Sequence, residues 1–151
     1  MARMHSRMKG KSGSKKPLKR SSAWIKYKPQ EVEELVVRHA KKNMDSRTIG
    51  LELRDQYGIP SVRDATKMKM SAIMKKNDAY RKEVPEDLYN LMKKAVNLHA
   101  HMDTNKKDYT SYRGLELTES KIRRLAKYYI KQGELPKKWK WNVDQAKLMI
   151  K

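Results

Sequence analysis

The apolar residues of this chain recur three and four positions apart and almost nowhere two apart. Leu88, Leu91, Met92, Ala95 and Leu98 make one such stripe, and Leu115, Ile122, Leu125, Ala126 and Tyr129 make a longer one. Side chains at those intervals share one face of a helix, whereas a half-buried strand needs strict alternation. No segment alternates with a period of two over a useful length. The pattern predicts an all-α fold without a sheet.

Helix ends can be read from the punctuation between stripes. Pro29 suits a first turn, where its missing N–H is no loss. Val32, Leu35, Val36 and His39 follow at helical spacing, toward an end near Asn43. Asp45 or Ser46 is placed to cap a second helix carrying Ile49, Leu53 and Tyr57, which Gly58 stops. Ser61 is placed to cap a third, with Ala65, Met68, Ala72 and Ile73 on one side. Pro85, Glu86 and Asp87 open a fourth. A fifth runs from about Asp108 to Gln132 and ends at Gly133, and a short piece from Asn142 to Met149 completes the chain. The polar connector from Asn77 to Val84 is read as a boundary. The expected organisation is a basic extended tail over residues 1–27, disordered in isolation, then a small helical N-terminal module over residues 28–80. A helical domain over residues 81–151 follows, built on a long antiparallel helical pair. Its C-terminal arm carries Trp139 and Trp141, which flank Lys140 and anchor the arm on the bundle.

Charge narrows the choice of partner. Lys and Arg number 37 against 17 Asp and Glu, a formal charge of +20. Self-repulsion on that scale destabilises a compact chain, and a polyanion relieves it. Nucleic acid is the first candidate and anionic lipid the second. Residues 1–27 alone hold nine Lys or Arg and no acid. With 38% hydrophobic residues and no Phe, the core is expected to be thin. The absence of Cys excludes disulfides and thiolate metal sites. No apolar run approaches the about 20 residues that a membrane span needs, and no signal-peptide segment opens the chain. A soluble, cytoplasmic protein is expected, with no membrane partner.

Catalytic and metal signals are lacking. His99 and His101 are two apart and point in different directions on a helix, while His5 and His39 are remote in sequence. Gly10-Lys11-Ser12 would need a glycine at position 5 to form a phosphate loop, and that position is His5. There is no nucleophile elbow, glycine fingerprint or paired-carboxylate signal. Neither an enzyme nor any metal or cofactor is expected.

The stretch from His101 to Gly114, "HMDTNKKDYTSYRG", is more specific. It places Lys106-Lys107-Asp108 and Ser111-Tyr112-Arg113-Gly114-Leu115 ahead of a basic amphipathic segment through Arg123, Arg124 and Tyr128. This order resembles the universal small-subunit ribosomal protein family called S-fifteen in bacteria, whose members carry "KKD" and "S-x-R-G-L" at the same spacing. The bacterial-like core covers roughly residues 85–132. The opening "MARMHSRMKGKSGS", the segment "IGLELRDQYGIPSVRDATK" and the end "LPKKWKW" resemble the longer archaeal and eukaryotic members, so the likeness covers nearly the whole chain.

The resemblance implies a structural role in the small ribosomal subunit. It implies binding to the central domain of small-subunit ribosomal RNA (rRNA), where a helical junction is clamped and an adjacent minor groove is read. By position, His101, Asp108 and Ser111 would read that groove and Tyr128 would help hold the junction. Asn105, Tyr109, Thr110 and Tyr112 depart from the bacterial pattern, which has His or Arg there. Neighbouring small-subunit proteins and a large-subunit contact at the subunit interface are further implied partners.

The residues themselves give a compatible reading. Lys106, Lys107, Arg113, Lys121, Arg123, Arg124 and Lys127, with Gly114 among them, form a dense basic stretch suited to phosphates. In the tail, Arg3, Arg7, Lys9, Lys11, Lys15, Lys16, Lys19 and Arg20 are candidate phosphate contacts. Asp108 is also placed to cap a helix through the amide near Ser111. Two other readings compete. Residues 46–70 look like a helix-turn-helix, with Arg63, Lys67 and Lys69 as readers of DNA. An architectural, chromatin-like protein without sequence preference is the other.

Overall fold

The computed structural model describes residues 24–80 and 84–150. The basic tail and its expected phosphate contacts, from Arg3 to Arg20, lie outside the described residues. The described chain is all-helical, and it divides into two compact units, residues 24–80 and residues 84–150.

The first unit contains α1 (Pro29–Lys41), α2 (Ser46–Tyr57), α3 (Val62–Thr66) and α4 (Met70–Lys76). Pro29 opens α1, and the Glu31 carboxylate reaches back to accept from the Lys28 amide at 2.8 Å. That bond satisfies one of the amides a helix start leaves open. Val32, Leu35, Val36 and Ala40 turn the buried face of α1 toward Ile49, Leu53, Ile59, Val62, Ile73 and Met74. Gly58 stops α2 in the left-handed conformation (φ 66°), and the Ile59 amide donates to the Leu53 carbonyl at 2.9 Å. Only Gly adopts that backbone at no steric cost.

The helix expected from Ser61 through Ile73 is two helices instead. The Thr66 hydroxyl donates to the Val62 carbonyl at 2.9 Å and accepts from the Met68 amide at 3.2 Å, and Lys67 turns left-handed (φ 60°). A hydroxyl that takes over backbone hydrogen bonds ends a helix locally. The break rotates α4 relative to α3, so Ile73 is buried while Ala72 is exposed. It also separates Arg63 on α3, Lys67 at the break and Lys69 at the N-cap of α4. A five-residue α3 gives those three cations no common recognition helix to present to a DNA groove.

The second unit is built on α5 (Glu86–Thr104) and α6 (Tyr109–Gln132), joined by Asn105 to Asp108. So short a connection makes them antiparallel neighbours. The pairing is tied at both ends: the Tyr129 hydroxyl donates to the Asp87 carboxylate at 2.6 and 2.7 Å, and His101 meets Asp108 at 3.0 Å. Leu88, Met92 and Ala95 pack against Leu115, Ile122 and Ala126. Gly133 ends α6 left-handed (φ 77°), with the Glu134 amide on the Tyr129 carbonyl at 3.0 Å. The chain then returns over the pair. Leu135 is buried, Trp139 and Trp141 are half-buried against this core, and α7 (Val143–Met149) buries Ala146. No described helix is long and apolar enough to cross a membrane.

Candidate nucleic-acid interface

The turn between α5 and α6 is organised by side chains. Asp108 is the N-cap of α6, and its Oδ1 accepts from the Ser111 amide at 2.9 Å. Its Oδ2 lies 3.0 Å from Nε2 of His101, in the last turn of α5. The hydroxyl and amide of Ser111, and then His101, hold the Asp108 carboxyl far below its ordinary value of 3.8. Hydrogen bonds to the charged form favour that form. The carboxylate is thus ionised, oriented from two sides and still 34% exposed. It offers roughly four acceptor positions, and the protein's own donors do not fill them all.

Cations surround it. Lys106 and Lys107 are exposed in the turn itself. Arg113 is exposed one turn into α6 and donates to Glu116 at 2.7 Å. Arg123 likewise donates to Glu119 at 2.7 Å. Lys121, Arg124 and Lys127 are exposed without an acidic partner among the described residues. The basic stretch is therefore partly neutralised from within, and its remaining charge sits in the turn at Lys106 and Lys107 and on the two turns around Arg124. Surface pairs of this kind contribute little to stability, so Arg113 and Arg123 remain available to a phosphate that outbids a glutamate.

Gly114 sits inside α6 and is half-buried. A Cβ built on it meets nothing within 4 Å. Neither a steric clash nor a positive φ requires glycine at this position, although glycine inside a helix costs about 0.5–1 kcal/mol relative to alanine. Tyr128 is exposed, its ring edge-on to Tyr129 at 5.3 Å. Tyr109 and Tyr112 are also exposed, off the core stripe.

The structure brings His101, Asp108, Ser111, Lys106, Lys107 and Arg113 to one end of the α5–α6 pair, while Lys121 to Tyr128 lie further along α6. Sequence reasoning missed two features of the site. Glu119 ties Arg123, His99 (3.1 Å) and the indole of Trp141 (3.5 Å); its spacing to Arg123, four apart on a helix, was a readable signal. Asn105 follows His101 by the same four residues, and its side chain caps the end of α5 by donating to the His101 carbonyl at 3.2 Å. Among the described residues no three His, Asp or Glu side chains converge as metal ligands would.

An all-helical chain with an acceptor-bearing turn set in a cationic helix surface has the features that a helical nucleic-acid-binding protein would use. Comparison with known proteins narrows this. Residues 1–59 match the profile described as "Ribosomal S13/S15 N-terminal domain", and residues 67–149 match "Ribosomal protein S15". A "Small ribosomal subunit protein uS15" of Methanocella arvoryzae is 45% identical over 151 residues, 99% of each chain. Proteins of the same name are 46% identical in Methanobrevibacter smithii, over 85% of this chain and 96% of that one, and 47% identical in Methanococcus vannielii, over 99% of each. The chain belongs to the ribosomal protein S15 family.

Proposed function

We propose that the chain is a structural, rRNA-binding component of the small ribosomal subunit and that the α5–α6 turn is its reading edge. The relatives are named as proteins of that subunit, and family membership carries the structural role to this chain. The finer reading rests on one observation: an ionised, exposed carboxylate is held at the centre of a cationic surface. Phosphates attract Lys and Arg whatever the sequence beneath them. The wide minor groove of A-form RNA displays 2′-hydroxyls and guanine amino groups, which donate. Only an acceptor answers a donor, and Asp108 keeps acceptor capacity exposed for that purpose. The Ser111 hydroxyl, which accepts as well as donates, stands beside it.

In this reading Lys106, Lys107, Arg113, Lys121, Arg123, Arg124 and Lys127 hold phosphates and offset their repulsion of Asp108. Gly114 lets an RNA backbone approach α6 closely, and Tyr128 abuts a helical junction of the central domain. The tail cations Arg3, Arg7, Lys9, Lys11, Lys15, Lys16, Lys19 and Arg20 track further phosphates. A flexible junction samples several geometries, and a rigid pair of helices that fits one of them shifts the population toward it. Neighbouring small-subunit proteins then dock on the ordered RNA, and a large-subunit contact at the subunit interface completes the set of partners.

The test is competition between a folded three-way RNA junction and duplex DNA of equal length at rising salt. The RNA should be preferred, and the preference should survive salt that abolishes binding to DNA. Asp108→Ala and Ser111→Ala should erase that preference while leaving the salt slope near wild type; equal preference before and after rules out the minor-groove assignment. Lys121→Ala and Lys127→Ala should instead weaken binding to both and reduce the slope by about one each.

A further inference from the structure

The stripe of α6 that meets α5 is Leu115, Ile122 and Ala126. Leu117 lies about 200° around the helix from Leu115, and Ser120 follows three residues later, so both point away from that stripe. Arg113, Lys121 and Arg124 share this outer face and are exposed. Leu117 and Ser120 are buried all the same, Ser120 to 1% exposure. Leu117 belongs to neither apolar core of the described residues. The Ser120 hydroxyl is enclosed without a hydrogen-bond partner among those residues, whereas the nearby Thr118 hydroxyl donates to the Gly114 carbonyl at 2.8 Å. A buried hydroxyl left unpaired is costly, and native structures pair such groups. The described cores leave both side chains uncovered, so another part of the chain covers them.

Chain length selects that part. Residues 81–83 enter α5 at the end where the Tyr129 hydroxyl meets Asp87. Leu117 lies twelve residues before Tyr129 on α6, about 18 Å along the axis, and three residues span at most about 10 Å. Lys151 is one residue beyond Ile150, which packs into the α5–α6 core. Residues 1–23 alone have the length. Within them Met1, Met4 and Met8 stand together at the start, with Leu18 apart. We propose that residues 1–11, "MARMHSRMKGK", dock on the outer face of α6, laying methionine side chains over Leu117 and pairing a backbone group with the Ser120 hydroxyl. Methionine is unbranched and polarisable and fills irregular apolar gaps. The contact is apolar at its centre and cationic at its rim, because the segment carries Arg3, Arg7 and Lys9 to a face that holds Arg113, Lys121 and Arg124. Salt screens such repulsion, so docking tightens as salt rises, whereas phosphate binding weakens. A docked tail also sets its cations beside the basic stretch of α6 and enlarges the surface proposed for RNA; the docking itself does not depend on that role.

The chain has no cysteine, so Ser6→Cys gives a single site for a nitroxide spin label on the full chain. In methyl NMR without RNA, the Leu117 signal, identified by its loss in Leu117→Ser, should broaden more strongly than that of Leu88 at the other end of the pair. The effect should persist or grow from about 0.1 M to about 0.5 M salt. Met4→Ser combined with Met8→Ser should abolish it without touching either core. Equal broadening of Leu117 and Leu88, broadening that salt removes, or a double methionine variant that broadens as before overturns the proposal. Spin-labelled chain mixed with isotope-labelled chain that lacks the nitroxide separates contact within one molecule from contact between two. Broadening that passes between chains puts a second copy on this face and overturns the proposal as well. Ser120→Ala should lower the ratio of docked to free tail by about twofold to tenfold, the worth of one hydrogen bond. Circular dichroism confirms that this variant keeps its helices, and an unchanged ratio overturns the pairing with Ser120.

Discussion

The two units carry a similar charge and deploy it differently. Residues 24–80 hold twelve Lys or Arg against eight Asp or Glu, and residues 84–150 hold fourteen against eight. In the first unit short helices gather around α1 and close an apolar core. Its buried histidine, His39, sits 2.8 Å from Glu52 and edge-on to Tyr57 at 6.0 Å, turned inward. In the second unit the polar contacts lie along the outer edge of a long helical pair, from Tyr129 and Asp87 at one end to His101 and Asp108 at the other. A similar surplus of positive charge therefore goes with two different arrangements of polar side chains. Asp55 of the first unit is an exposed carboxylate beside Arg54, whereas Asp108 of the second is held from two sides, by the Ser111 amide and by His101, at the start of a long helix.

The comparison breaks most severely in the cores. Leu53→Ala and Ile122→Ala each remove a fully buried side chain and should cost about 2–5 kcal/mol. Hydrogen exchange should show lost amide protection in α1 and α2 for the first variant and in α5 and α6 for the second. Protection lost equally in both units would mean that they fold as one. Tyr129→Phe deletes the hydroxyl that ties α6 to the start of α5, and denaturant unfolding should register a loss of about 1 kcal/mol.

Gly114→Ala sharpens the contrast because its two effects oppose each other. Alanine should stabilise α6 by about 0.5–1 kcal/mol, since nothing crowds the new Cβ. The same methyl group should weaken binding to the RNA junction if a backbone approaches there. Stabilisation without a loss of affinity would remove Gly114 from the interface. The smallest effect is on pH dependence. The folded Asp108 carboxyl lies well below its ordinary value, so the unfolded chain takes up the proton first. Its contribution is full above the ordinary carboxylate range and fades as pH falls through the lower folded value. Asp108→Asn should flatten that part of the acid limb in melting experiments, and an unaltered limb would show that other carboxylates set it.

Much of the fold is legible in the sequence because its determinants are local. Pro29 starts α1, Gly58 and Gly133 stop α2 and α6, and Asp108 caps α6 through an amide three residues on. The break at Lys67 is hidden because Met68 and Ile73 continue an apolar pattern across it. Only the Thr66 hydroxyl's choice of backbone partners reveals the interruption. The site divides in the same way. His101, Asp108 and Ser111 are singled out through the family resemblance, since residue type alone offers only a helix cap for Asp108 and an ordinary helix histidine for His101. Asn105 is not, since its side chain acts through the His101 carbonyl and Thr104 Oγ1, partners that only the closed helix end brings to it. Composition alone overstates the cationic stretch, because Glu116 and Glu119 must be subtracted from Arg113 and Arg123.

Asp108 begins a helix and, on the proposed reading, meets the RNA with the same two oxygens. On that reading, a chain that has not yet closed the α5–α6 turn would hold RNA by charge alone, and discrimination would arrive only with the fold.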